Sequence, residues 1–198
     1  VSVSNLGVTN GAFNFIGNPY QASVDMTLVL AASTNLNGSF YYVWDPQIGV
    51  RGAYVTVSLP AGLNTSGSAA NKFMQPGQAT FVNTLSNGAG NVLFQEVHKA
   101  VGQNTTTFPL PSNNSSIIGQ LFRYQNGAVA NGLQDSFGIF FSSTANTGVD
   151  SFDAIKLPNQ DETVAVQYGS DLLAIDNRQL PVINETILLN HDTYRTTN

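Results

Sequence analysis

Helical periodicity is almost absent from these 198 residues. Instead, short runs rich in Val, Ile, Phe, Tyr and Thr recur, each bounded by Gly, Asn, Pro or Ser. A chain with this pattern folds as many short strands joined by turns, because no segment holds an apolar stripe long enough to bury a helix face. Strands are predicted near Ala12–Ile16, Ser23–Leu30, Ser39–Trp44, Ala53–Leu59, Gln78–Val82 and Asn91–Glu96. A second set is predicted near Thr105–Phe108, Ile117–Tyr124, Ser136–Ser142, Ala154–Leu157, Thr163–Tyr168, Leu172–Ile175 and Glu185–Leu189.

The alternation within these runs says which faces are buried. Val55, Val57 and Leu59 share one face of their strand, and Tyr54, Thr56 and Ser58 share the other. Phe137-Gly138-Ile139-Phe140-Phe141 is nearly continuous, as in a strand covered on both faces. Asn37-Gly38, Asn87-Gly88, Asn126-Gly127 and Asn131-Gly132 supply the positive φ of tight hairpins. The expected fold is an all-β, antiparallel β-sandwich of jelly-roll-like design. It is one module over residues 1–198, with a division into two packed subdomains placed near residues 102–116. The stretches Gly62–Asn71 and Pro109–Ser116 read as exposed loops.

Composition narrows the function. Hydrophobic residues make up 42%, enough for a core, but charged residues only 10%, against roughly 25% in ordinary soluble domains. The surface is therefore mostly neutral and polar, which suits packing against neighbours or sugars. The net charge is −5, and the seven basic residues, Arg51, Lys72, Lys99, Arg123, Lys156, Arg178 and Arg195, are scattered. That distribution argues against nucleic acid and anionic membranes as partners. The absence of cysteine excludes disulfides, thiolate metal sites and cysteine nucleophiles. The longest apolar run, Met26–Ala32, has the length of a buried strand and falls far short of a membrane span.

Five segments carry a family resemblance. In order they are Phe15-Ile16-Gly17-Asn18-Pro19-Tyr20, Tyr41-Tyr42-Val43-Trp44-Asp45-Pro46, Met74-Gln75-Pro76-Gly77-Gln78-Ala79-Thr80-Phe81-Val82, Asp150-Ser151-Phe152-Asp153-Ala154-Ile155-Lys156-Leu157 and Leu172-Leu173-Ala174-Ile175-Asp176 followed by Leu180-Pro181. Together they resemble the module that precedes the sorting domain in Bacteroidetes surface proteins exported by type IX secretion. The chain departs from that pattern at Gln21-Ala22, where the family often has Pro-Ser, and at Thr80-Phe81, where it has an aromatic pair. The resemblance implies an extracellular, cell-surface β-sandwich acting in adhesion or matrix building, with a sorting domain cleaved off or outside these residues. It implies no catalytic set.

Candidate chemistry is sparse. The two histidines, His98 and His191, lie in no catalytic motif and read as a strand-end surface residue and a tail residue. The acids Glu96, Asp135, Asp150, Asp153, Asp161 and Glu162 are available for a facing carboxylate pair, or simply for turn capping. The oxygen-rich stretch Asn146–Asp153 suits calcium, with Asp150 and Asp153 as ligands and Asp135 joining from the preceding strand. The competing reading makes Asp150 a turn cap and gives Asp153 to backbone amides. Tyr42 and Trp44 share a strand face with Phe40, and an exposed row there stacks on sugar rings, whereas a buried one is core. The sequence therefore points to a non-catalytic surface module that adheres or assembles with copies of itself or with neighbouring surface proteins. A carbohydrate-binding module is the alternative.

Overall fold

A computed structural model describes residues 1–100, 115–125 and 127–193. The predicted strand Thr105–Phe108 and most of the predicted division at 102–116 lie outside these residues. Strands make up 46% of the described residues and helix 6%, so the fold is all-β, built mainly from antiparallel pairs.

The chain forms two compact units. The first comprises Val1–Val43, Thr56–Asn64 and Ala69–Phe108, and the second Trp44–Val55, Thr65–Ser68 and Pro109–Asn198. The division is interleaved, since residues 44–55 and 65–68 cluster with the C-terminal half.

In the first half of the chain, β1 (Ser2–Val3), β2 (Phe13–Gly17), β3 (Val24–Asp25), α1 (Met26–Ala32), β4 (Phe40–Asp45), β5 (Ala53–Ser58), β6 (Phe73–Met74), β7 (Ala79–Asn83) and β8 (Val92–Leu93) follow one another. Their sheets are β2-β7-β4-β5, β1-β8 and β3-β6. Val55 and Val57 of β5 are buried and Tyr54, Thr56 and Ser58 partly so, as their alternation requires.

The predicted strand Ser23–Leu30 is corrected. Only Val24–Asp25 is extended, and Met26–Ala32 is helical. A seven-residue apolar run fits either state. Here Asp25 decides it, because its side chain accepts the Thr27 N–H at 2.9 Å and so caps the helix. Met26, Val29 and Leu30, spaced three and four apart, form the buried stripe.

In the second unit, β9 (Ser116–Gln125), β10 (Ala128–Phe141), β11 (Ala154–Ile155), β12 (Glu162–Tyr168), β13 (Asp171–Arg178) and β14 (Leu188–Thr193) form one sheet. Its order is β14-β12-β13-β10-β9, with β11 also paired to β13. The pairing of β10 with β13 is parallel, unlike the rest of the sheet. The predicted strand Glu185–Leu189 moves to Leu188–Thr193, where it pairs with β12 of its own sheet.

Gln125 of β9 pairs with Ala128 of β10, and Gly127 just before it has φ 81°; Asn126 lies outside the described residues. The second pair, Asn131-Gly132, is no hairpin. It falls within β10, where the register against β9 slips between Val129 and Leu133, as at a β-bulge. Phe137, Ile139, Phe141, Val164, Val166 and Leu173 form this unit's core. Phe137 lies across β9 at Gly119, where any Cβ would stand 2.2 Å from the ring.

Candidate functional site

The segments that carry the resemblance meet in pairs. In the first unit Asn18 ties the first to the third. Its Nδ2 donates to the carbonyls of Ala22 (2.8 Å), Met74 (3.1 Å) and Gln75 (3.1 Å), while its Oδ1 accepts the Tyr20 N–H at 3.0 Å. Asn18 is buried, and only a side-chain amide offers both donors and an acceptor from one group. Pro19 needs no amide partner, so the turn closes without an orphan donor. In the second unit the fourth and fifth segments meet as β11 against β13, with Ala154 opposite Ile175.

The aromatic candidates separate. Tyr42 is 2% exposed, and burial raises its phenol well above the usual tyrosine range. It stands opposite Phe81 in the neighbouring strand and meets the Phe13 ring edge-on at 5.1 Å. Tyr42 is therefore a core residue, with no open ring face for a sugar, because Phe40–Val43 of β4 are all buried. Trp44 is half-buried. Its ring meets Tyr54 edge-on at 4.8 Å, and Gly52 (φ 85°) lies so close that a Cβ would come within 2.5 Å of the indole. Among the described residues of the first unit, the exposed aromatic side chain is Phe15, 67% exposed, with its ring 5.0 Å from that of Phe81. A lone Phe in a short strand gives no signal that distinguishes an outward ring from a core ring.

The three aspartates proposed for calcium do not share one site. Asp150 and Asp153 are joined through their turn. Asp153 Oδ2 accepts the Asp150 N–H (2.7 Å) and its Oδ1 accepts the Asn177 N–H (2.7 Å), which ties the loop to β13. Asp150 accepts the Phe152 N–H (2.8 Å) and the Asn146 Nδ2 (2.7 Å). Burial pushes Asp153 up to about 6, against the pull of its two backbone amides.

Asp135 is elsewhere engaged. Its Oδ1 lies 2.6 Å from Lys156 Nζ and its Oδ2 accepts the Val164 N–H at 2.7 Å. The two side chains of this ion pair are 3% and 4% exposed. Burial lowers the Lys156 ammonium, and Asp135 partly opposes that. Each of these aspartates thus already serves as an acceptor for the chain's own donors. Among the described residues no group of three or more His, Cys, Asp or Glu side chains is placed to hold a metal.

The remaining candidate acids, Asp161, Glu96 and Glu162, each lie beside a basic side chain. Asp161 lies 2.7 Å from Arg51, Glu96 is 2.5 Å from Lys99, and Glu162 is 3.3 Å from His191. Arg178 bridges Asp176 (2.8 Å) and Glu185 (2.9 Å). A cleft of about 310 Å³ opens beside it, lined by Tyr168, Gln167 and Leu188 among others. The histidine readings are corrected. His98 is buried, and its Nδ1 accepts the Gln95 N–H at 3.2 Å. His191 lies within β14. Among the described residues no helix is long and apolar enough to cross a membrane. Comparison of the chain with family models, with curated proteins and with solved structures returned no match.

Proposed function

We propose that the chain is a non-catalytic module of an extracellular surface protein, acting in adhesion or as a self-assembling structural subunit. The observation that carries this reading is the pair of outer strands in the second unit's sheet. Among the described residues, β9 and β14 each pair along one side only. β9 exposes Ile117, Phe122 and Tyr124, and β14 exposes Leu188 and Leu189. Apolar outer strands with few charges favour pairing with another chain, since natural edge strands that stay single are blunted by Lys, Pro or bulges. The low overall charge adds little repulsion between copies.

The test is concentration-dependent light scattering together with adhesion of the purified protein to cells or coated surfaces. Assembly or adhesion is expected, and Leu189→Lys, which places a charge on the outer strand, should reduce it several-fold. A strictly monomeric protein that adheres to nothing overturns the reading.

A second reading, a carbohydrate-binding module, is favoured by exposed Phe15 beside Phe81. The outward face of the Phe15 ring, tilted 50° to that of Phe81, is open to stack on the apolar face of a sugar. Glycan-array binding that falls at least tenfold in Phe15→Ala would support it. An array without hits would dispose of it.

A further inference from the structure

The buried pair of Lys156 and Asp135 is held in a fixed geometry. Nζ stands 2.6 Å from Asp135 Oδ1 and also donates to the Ser136 carbonyl at 2.9 Å. The far oxygen, Oδ2, receives the Val164 N–H at 2.7 Å. Both backbones are held. Asp135 sits in β10 opposite Leu121 of β9, and the Lys156 N–H bonds the Leu172 carbonyl at 2.7 Å. Both side chains are almost wholly shut off from water.

We propose that Lys156 and Asp135 condense to an intramolecular isopeptide bond that covalently staples β10 to the segment following β11. Inside a low-dielectric site the ion pair is costly, and transfer of one proton from the ammonium to Asp135 gives a neutral amine and a neutral carboxylic acid. The Nζ lone pair then attacks Asp135 Cγ. Negative charge develops on Oδ2, where the Val164 N–H is already aimed, in the manner of an oxyanion hole. The new bond is Nζ–Cγ and the bond that breaks is Cγ–Oδ1. Oδ1 leaves as water, carrying the proton transferred earlier and a second one from Nζ. No oxidant, reductant or cofactor enters the balance. Fixed proximity replaces the entropy of a bimolecular encounter, and the absence of bulk water disfavours the reverse hydrolysis. In a chain without cysteine this bond would be the covalent staple that disulfides supply elsewhere. The inference goes beyond the surface-module reading and stands or falls separately from it.

The experiment is the intact mass of the purified chain under denaturing conditions, followed by proteolysis. The expected result is a mass short of the sequence by one water, and one peptide species joining the fragments that carry residues 135 and 156. The joined peptide separates the link from an Asp or Asn cyclising onto its own backbone, which loses mass without joining fragments. In Asp135→Asn the leaving group becomes ammonia, so the deficit should change to that of ammonia; in Asp135→Ala it should vanish. The full sequence mass in the parent chain, with Lys156 open to acetylation after unfolding, overturns the proposal. So does a one-water deficit that persists in Asp135→Asn. If either variant fails to fold, the parent mass and peptide map still decide.

Discussion

The two units bury polar side chains of opposite character. In the first, the buried polar residues are neutral amides and hydroxyls, namely Asn14, Asn18, Thr80, Asn83 and Thr84, together with His98. In the second they include Asp135, Asp153, Lys156, Asp161, Asp176 and Arg178. Both sets do the same work of tying loops to strands. Asn14 takes the Gly7 N–H on its Oδ1 (2.6 Å) and gives its Nδ2 to Thr84 (3.1 Å). Asp153 takes two backbone N–H groups, one from its own turn and one from β13. The difference lies in what failure costs. A lost neutral bond strands a carbonyl or an amide, whereas a lost ionic partner strands a charge in a low-dielectric interior. The second unit is therefore expected to be the more sensitive to single substitutions and to pH.

The largest effect should come from splitting the Asp135–Lys156 pair. Lys156→Ala leaves the Asp135 carboxylate buried with the Val164 N–H as its other partner, and removal of one member of a buried pair costs about 3–5 kcal/mol. Urea unfolding followed by fluorescence is well suited to this, because Trp44 is the only tryptophan and clusters with the second unit. A change below about 1 kcal/mol would place the pair among surface-like ion pairs and break the contrast between the units.

The matching substitution in the first unit is Asn18→Ala. It removes four hydrogen bonds but strands no charge, so a loss of about 1–3 kcal/mol is expected. Asn18→Asp sharpens the comparison. It sets a carboxylate against the carbonyls of Ala22, Met74 and Gln75, and should destabilise more at neutral pH than in acid, where a protonated carboxyl can donate one bond. Calorimetry of both variants across pH reads this directly. Equal losses for Ala and Asp at neutral pH would mean that Asn18 is wetter than its burial implies.

These two networks were unequally legible in the chain. Alternation located most of the strands and gave the buried face of β5, because a period of two depends only on neighbours in sequence. Asp150 and Asp153 were legible as turn acceptors for the same reason, being three residues apart. The Asp135–Lys156 pair was not, since its members are 21 residues apart and meet only once β10, β11 and β13 have taken their register. The first unit's Asn18, followed by Pro19, has the local pattern of a turn residue, and its reach to Met74 and Gln75, 56 and 57 residues away, lies beyond local pattern. Met26–Ala32 has a length that suits a strand, and its cap, Asp25, is an ordinary residue until its side chain turns back to the Thr27 N–H. Burial of His98 depends on where a three-residue 3₁₀ turn falls, which no periodicity records.

The smallest effect is the pH dependence that separates the units. Burial raises Asp153 from 3.8 to about 6. The folded state therefore holds that proton more tightly than the unfolded chain does. The resulting stability is fully present below the unfolded value, and it declines as pH rises towards about 6. Asp176 is raised in the same direction by burial, with Arg178 opposing, so the two groups add. Asp153→Asn removes one titration, and because an amide has a single acceptor oxygen it also gives up one of the two backbone bonds, costing about 1–3 kcal/mol at any pH. The expected signature is a lower unfolding midpoint with a flatter slope between pH 4 and 6. The first unit offers no buried carboxylate among its described residues, so hydrogen exchange resolved along the chain should show that slope in β11 and β13 and not in β2 and β7. A slope of the same size in both would mean that the charge contrast between the units does not govern their stability.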